Sequence, residues 1–361
     1  MTQAFRRLPP DRRLRAVSVG AGGMGRGWLR ALSRSDDVDL VGVVDVNPDA
    51  IPAALADVFG ADPAADDIAT GTELTAVARA VEADLVVDVT IPEAHHAVTL
   101  EAFSLGLPVI GEKPMAATLA EAVSLTTAAE KAGELFMVSQ SRRYDSNLFA
   151  LKAMTGRLGE VDIVTTEFFK APHFGGFRDK MAHPLVLDMA IHSFDSARFL
   201  LDAEPIAVYC EEYNPSWSWY AGDAGSTAIF EMSGGQRYVY TGSWCSPGAE
   251  TSWNGRWRVS GRAGSATWDG DDVPAADTPA AEPSGVPAQV AATPPGQGIA
   301  GSLAEFVHAL RTGTTPMGEC HDNLLSLAMV HAAIASSRTR ARVDVRDILG
   351  DARELALTSA G

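Results

Sequence analysis

The chain has 361 residues, 46% hydrophobic and 21% charged, the balance of a soluble globular protein, and its length favours two domains over one core. A formal net charge of -17 with no basic stripe argues against a nucleic-acid-binding surface. There is no leader-like apolar segment and no apolar run long enough to span a bilayer, so a cytoplasmic protein with no nucleic-acid or membrane partner is expected.

The first domain, 1–140, alternates strand and helix patterns. A β-prone segment at 16–19 runs into GAGGMG and then a helical pattern, so Gly20, Gly22 and Gly25 spell G-x-G-x-x-G between a strand and a helix. In that context Gly20 permits the tight turn, Gly22 lets backbone approach a pyrophosphate, and Gly25 lets the helix pack close to the strand. Helix N-terminal N–H groups then face the phosphates, which makes Gly20, Gly22, Gly23, Met24 and Gly25 the candidate cofactor turn. The next strand, VDLVGVVDV at 38–46, carries Asp45 twenty residues after Gly25, where a carboxylate accepts from the adenosine ribose. That carboxylate repels a 2′-phosphate, so NAD is expected over NADP.

A strand at 84–90, a helix at 93–105, the short strand in LPVIGEKP, a helix at 118–131 and the strand LFMVSQS continue the rhythm. Strands separated by helices in this way predict an α/β fold with a parallel, doubly wound Rossmann sheet. Thr90, Pro92, Glu112, Lys113 and Pro114 stand at strand carboxyl ends, where such sheets bind ligands.

The segment HPLVLDMAIHSFDSARFLL, 183–201, reads as an amphipathic helix with Asp188, His192 and Asp195 on one face. From Val161 onward the runs VDIVTTEFF, AVYCEEY, STAIFEMSG, QRYVYTGSW, RWRVSG and SATWDG predict a large open, mostly antiparallel sheet in an α+β second domain, 141–361. Residues 271–300, rich in Pro and Ala, read as a surface excursion. Two helices follow it, the second with Asp322 as its candidate N-cap. The three cysteines, Cys210, Cys245 and Cys320, lack CxxC spacing, which argues against disulfides and thiolate zinc.

The combination of GAGGMG, IPEAH at 91–95 and GLPVIGEKPMAATLAEA at 106–122 resembles the glucose–fructose oxidoreductase and inositol dehydrogenase family, Gfo/Idh/MocA. Pro92, His95, Gly106 and Glu112-Lys113-Pro114 reproduce its P-x-x-H and E-K-P spacing. Asp188, Ala190, His192 and Asp195 match its D-x-G-x-H-x-x-D helix, with alanine in place of the glycine. The resemblance implies that Thr90, Pro92, His95, Glu112 and Lys113 lie at the cofactor, and that Lys113, Asp188 and His192 are catalytic. Residues 142–145 resemble the R-R-Y-D segment of inositol dehydrogenases, which implies substrate contacts from Arg142 and Tyr144 alongside Asp188 and His192.

The chemistry fits those residue types. Removing hydride from a secondary alcohol also removes a proton from its oxygen, and histidine, with a pKa of ~6.5, accepts protons near neutrality. A lysine stabilises the negative charge developing on that oxygen. His183, Asp188, His192 and Asp195 could instead hold a divalent cation, but no three of them match a common signature and hydride transfer needs none, so no metal is expected. The expected function is NAD-dependent oxidation of a secondary hydroxyl on a sugar, cyclitol or related polyol. An NAD-dependent glycosidase-type enzyme and a non-catalytic NAD- or sugar-sensing regulator are the alternatives, and net NADH accumulation separates the first reading from both. The resemblance also implies a homodimer or homotetramer through the second-domain sheet.

Overall fold

The computed structural model describes residues 5–278 and 293–359. Two compact units emerge: one of residues up to Ser141, Pro295–Leu324 and from Arg353 on, the other within Arg142–Pro294 and Leu325–Ala352.

The first unit holds a six-stranded, all-parallel sheet of β1 (Leu14–Val19), β2 (Val38–Val44), β3 (Ala69–Gly71), β4 (Leu85–Asp88), β5 (Val109–Glu112) and β6 (Phe136–Ser139). Their order is β3-β2-β1-β4-β5-β6, that of a dinucleotide-binding Rossmann sheet. Every residue of β4, β5 and β6 is buried, as expected when helices cover both faces. The helices between the strands are α1 (Gly23–Ser33), α2 (Ala50–Phe59), α3 (Leu74–Ala80), α4 (Pro92–Ser104) and α5 (Leu119–Ala132). Local sequence sets their starts: Pro92 occupies the first turn of α4, and Thr118 with Glu121 forms a capping box on α5.

A short 3-10 turn, Ser141–Arg143, leads to α6 (Ser146–Thr155) of the second unit, which the Asp145 carboxylate caps. The sheet of this unit comprises β7 (Val161–Phe169), β8 (Pro205–Tyr213), β9 (Gly225–Met232), β10 (Arg237–Ser243), β11 (Arg256–Gly261), β12 (Gly264–Trp268), β13 (Ala275–Asp277) and β14 (Val343–Asp344). The order is β13-β12-β11-β7-β10-β9-β8-β14, antiparallel except for the parallel β7–β10 pair. Burial alternates along β8 to β11, so one face carries the core and the other is open. Phe194 of α7 (Ile191–Leu201) packs on the core face against Phe230, Tyr240 and Tyr238, with ring centroids 4.8, 5.4 and 6.1 Å away. The chain ends in α8 (Gly298–Thr312), α9 (Cys320–Thr339) and α10 (Val345–Ser359). All three cysteines are free and buried. No helix among the described residues is long and apolar enough to cross a membrane.

Several details differ from the sequence reading. Segment 295–324 groups with the first unit because it bonds back to it: Val138 N–H donates to the Gly318 carbonyl and Leu8 N–H to the Leu310 carbonyl, each at 2.8 Å. Part of the Pro/Ala-rich stretch forms β13 on the sheet edge, while residues 279–292 lie outside the described residues. Asp322 falls inside the first turn of α9, whose start is met instead by Glu319, accepting from His321 N–H at 3.0 Å. The helix expected over 183–201 is not uniform: Leu185–Ala190 forms a π-helical turn, and the α-repeat starts only at Ile191.

Candidate functional site

Gly20 follows β1 at φ +106°, a left-handed conformation that favours glycine, and a Cβ there would stand 2.5 Å from the Val89 carbonyl oxygen. A Cβ on Gly25 would meet the Gly20 oxygen at 2.1 Å, so helix and turn touch backbone to backbone. Around Gly22 and Gly23 the space is open to 4 Å, and α1 begins there without a side-chain cap. The Asp45 carboxylate braces the turn, accepting from Ala21 N–H at 2.7 Å and Asn47 N–H at 2.8 Å. An exposed helix start, glycine clearance and a carboxylate with spare lone pairs fit the pyrophosphate and ribose of a dinucleotide.

At the tips of β4 and β5 the expected residues divide. Thr90, Pro92 and Lys113 are partly exposed, whereas His95 and Glu112 are turned inward, 2% and 6% exposed. Their partners explain it. Asp88, fully buried and not singled out from sequence, accepts from the Thr90 hydroxyl at 2.6 Å and the Thr99 hydroxyl at 3.2 Å, with His95 Nδ1 3.0 Å away. Glu112 accepts from Trp28 Nε1 at 2.8 Å and from Lys113 N–H at 3.2 Å. Burial raises the Glu112 pKa, against the lowering pull of Trp28, Lys113 and His95. His95 and Glu112 thus brace the loops that carry Thr90 and Lys113.

In the second unit the carboxylates of the 183–201 stripe have separate partners. Asp188 accepts from Arg178 Nε at 2.6 Å. Asp195 takes both arms of Arg143, at 2.6 and 2.7 Å, and accepts from the Ser326 hydroxyl at 2.7 Å, which in turn accepts from Arg198 at 2.9 Å. Asp195 and Arg143 are buried, so this pair anchors the helix. His192 is 7% exposed and lines a small recess with Arg142, Ser193, Ser196, Asn254 and Trp257.

Of the R-R-Y-D segment, Arg142 alone lines that recess. Arg143 is bound to Asp195, and Asp145 caps α6. Tyr144 is 1% exposed. Sequence reading missed Arg178, because nothing local marks a residue whose partner is supplied by the fold.

Two clusters bring metal-ligating groups within 4.8 Å of one another. In the His183, Glu212 and Asp223 cluster, Arg338 donates to His183 Nε2 at 3.0 Å, which puts the ring proton on Nδ1, facing Glu212 at 3.1 Å. The ring lone pair is therefore directed away from the carboxylates. In the other, Glu319, Cys320 and His321, the imidazole is bracketed by Glu319 at 2.7 Å and Glu130 at 2.9 Å. Partial burial opposes its protonation, but the two carboxylates outweigh it and raise the pKa.

Comparison with known proteins agrees with this arrangement. Residues 14–140 match the GFO/IDH/MocA model for oxidoreductases with an NAD-binding Rossmann fold, and residues 152–267 match a GFO/IDH/MocA C-terminal domain model. A D-apiose dehydrogenase of Paraburkholderia graminis is 26% identical over 97% of this chain and 94% of its own length. An inositol 2-dehydrogenase of Rhizobium meliloti is 31% identical over 53% of this chain and 56% of its own. In fold, the chain is similar to an Agrobacterium radiobacter oxidoreductase crystallised with NAD+, L-tartaric acid and magnesium, with TM-score 0.79, 19% identity, and coverage of 93% of this chain and 99% of that one.

Proposed function

Since the chain belongs to the GFO/IDH/MocA family of oxidoreductases with an NAD-binding Rossmann fold, we propose that it reversibly oxidises a secondary hydroxyl of a sugar, cyclitol or related polyol. The observation that carries the reading is the open glycine turn at the start of α1 with the Asp45 carboxylate beside it, which suits the hydride-accepting dinucleotide of this family. NAD, held by the Gly20–Gly25 turn and Asp45, supplies the hydride acceptor. His192 takes up the hydroxyl proton as general base. Lys113 donates to the reacting oxygen and stabilises its negative charge. Asp188, fixed by Arg178, holds the substrate or the His192 ring in place.

The test is NADH absorbance with NAD and NADP against cyclitols, aldoses and sugar acids. Lys113→Ala and His192→Ala should each lower kcat by about 10²–10⁴-fold while NADH binding persists. Near-normal turnover by His192→Ala would remove it as the base. The open sheet face, with Tyr209, Tyr213 and Ile229 each 45–49% exposed, supports pairing of two copies through this surface. Light scattering should report a dimer or tetramer that Ile229→Lys weakens.

A further inference from the structure

We propose that Glu319, Cys320 and His321, at the start of α9, bind a divalent cation of the zinc type, with Glu130 of α5 bracing the imidazole from behind. All four residues belong to the first unit, and the inference stands independently of the dehydrogenase reading.

The backbone that carries the three ligands is fixed against β6. Val138 N–H donates to the Gly318 carbonyl at 2.8 Å, and Glu319 pairs with Met137 in an antiparallel bridge. Glu319 then divides its carboxylate. Oε2 accepts from His321 N–H at 3.0 Å, which leaves Oε1 turned to the Cys320 thiol at 3.0 Å and to His321 Nδ1 at 2.7 Å. Sγ and Nδ1 are 3.5 Å apart, so oxygen, sulfur and nitrogen close a small triangle. Zinc bonds such atoms at about 2.0–2.3 Å, so one ion over the triangle reaches all three, and tetrahedral angles widen the two edges at oxygen by only about 0.5–0.7 Å.

The far side of the imidazole supplies a second, independent observation. His321 Nε2 faces the Glu130 carboxylate at 2.9 Å, the placement by which an outer carboxylate fixes the ring of a metal-ligating histidine. With a carboxylate at each ring nitrogen the imidazole carries both protons, so its Nδ1 proton and the thiol proton converge on one oxygen, Glu319 Oε1. A divalent cation takes the place of those two protons and leaves the net charge of the cluster unchanged, while Nε2 keeps its proton on Glu130. The thiolate is the ligand that needs the metal. Burial and the Glu319 charge hold the Cys320 thiol pKa well above its ordinary value, and a coordinated cation reverses that preference. Sulfur and imidazole together select zinc over magnesium or calcium. Cys320 forms the floor at 1% exposure, and the His321 side chain, 41% exposed, gives the cluster its opening to solvent. The CxxC spacing that the cysteines lack is unnecessary where one thiolate is joined by a carboxylate and an imidazole.

The test is calorimetric titration of zinc chloride into the untagged, chelator-treated full chain, with magnesium chloride as a second arm and cobalt(II) absorption as the readout of sulfur ligation. Zinc should saturate at one ion per chain, magnesium should not bind, and cobalt should give a near-ultraviolet thiolate charge-transfer band. Glu130→Ala should weaken zinc by about 10–100-fold, and His321→Ala by at least as much. Cys320→Ser should abolish the cobalt band, whereas His183→Ala, in the other cluster, should leave zinc affinity within about 2-fold of the native chain. Circular dichroism before metal addition reports whether each variant is folded; if Cys320→Ser is not, the half-exposed His321→Ala and the cobalt band of the native chain carry the test. No saturable zinc binding, affinity untouched by His321→Ala, loss of binding in His183→Ala, magnesium binding as tight as zinc, or a cobalt complex without the sulfur band overturns the proposal. None of these outcomes bears on the dehydrogenase reading, which turnover alone decides.

Discussion

Asp195→Ala tests the anchoring role of the stripe's last carboxylate. The substitution leaves the Arg143 guanidinium and the Ser326 hydroxyl buried without the acceptor they share, 2.6–2.7 Å away in the native chain. Both members of the ion pair are buried, at 5% and 1% side-chain exposure, so water cannot replace the lost partner. Breaking a pair at that depth costs about 3–5 kcal/mol. A unit of this size loses roughly 2–4 °C per kcal/mol, which puts the fall in Tm at about 6–20 °C. The assay is differential scanning calorimetry of Asp195→Ala beside the double variant Arg143→Met with Asp195→Leu. Removing both charges leaves no buried ion unpaired, although Ser326 still loses its acceptor, so the double variant should recover part of the loss. A single variant within about 2 °C of the native protein, or a double variant no better than the single, would refute the anchoring role.

Other consequences can be checked directly. Asp45→Ala should weaken NADH binding by about 10–100-fold and narrow the discrimination against NADPH, read by nucleotide fluorescence titration; an unchanged preference removes Asp45 from the ribose. Gly25→Ala, whose Cβ meets backbone at 2.1 Å, should lower Tm and NADH affinity, whereas Gly23→Ala, with nothing within 4 Å, should keep Tm within about 1 °C. Equal losses in the two would rule out steric clearance as the reason for the glycine at 25. Burial, with His183 and Arg338 nearby, pushes the His331 pKa down to about 4. Below pH ~6.5 the unfolded chain takes up a proton that the folded one refuses until about pH 4, so stability falls as pH drops through this window, by at most about 3 kcal/mol. His331→Leu should flatten that part of the pH profile in urea unfolding, and an unaltered slope would exclude the histidine as its source.

The parts of the molecule legible in the sequence are those governed by local rules. Gly20 and Gly25 announce a strand–turn–helix because no other side chain fits, and Thr118 with Glu121 announces a helix start because their reach spans three residues. Pairings over long separations are different. Asp195 meets Arg143 across 52 residues and Ser326 across 131, and nothing near any of them in sequence marks the meeting. Asp88 and Arg178 lie only seven and ten residues from His95 and Asp188, but each pair bridges two different elements, so no single helical or strand repeat marks it.

The wide turn at Leu185–Ala190 sets a phase offset between the two ends of its helix. Deleting Met189 would restore the ordinary repeat and rotate everything upstream by about 100°, carrying Asp188 and its partner Arg178 away while Asp195 kept its grip on Arg143. The direction in which the upstream end faces is thus set by one residue, separately from the buried clamp that holds the downstream end.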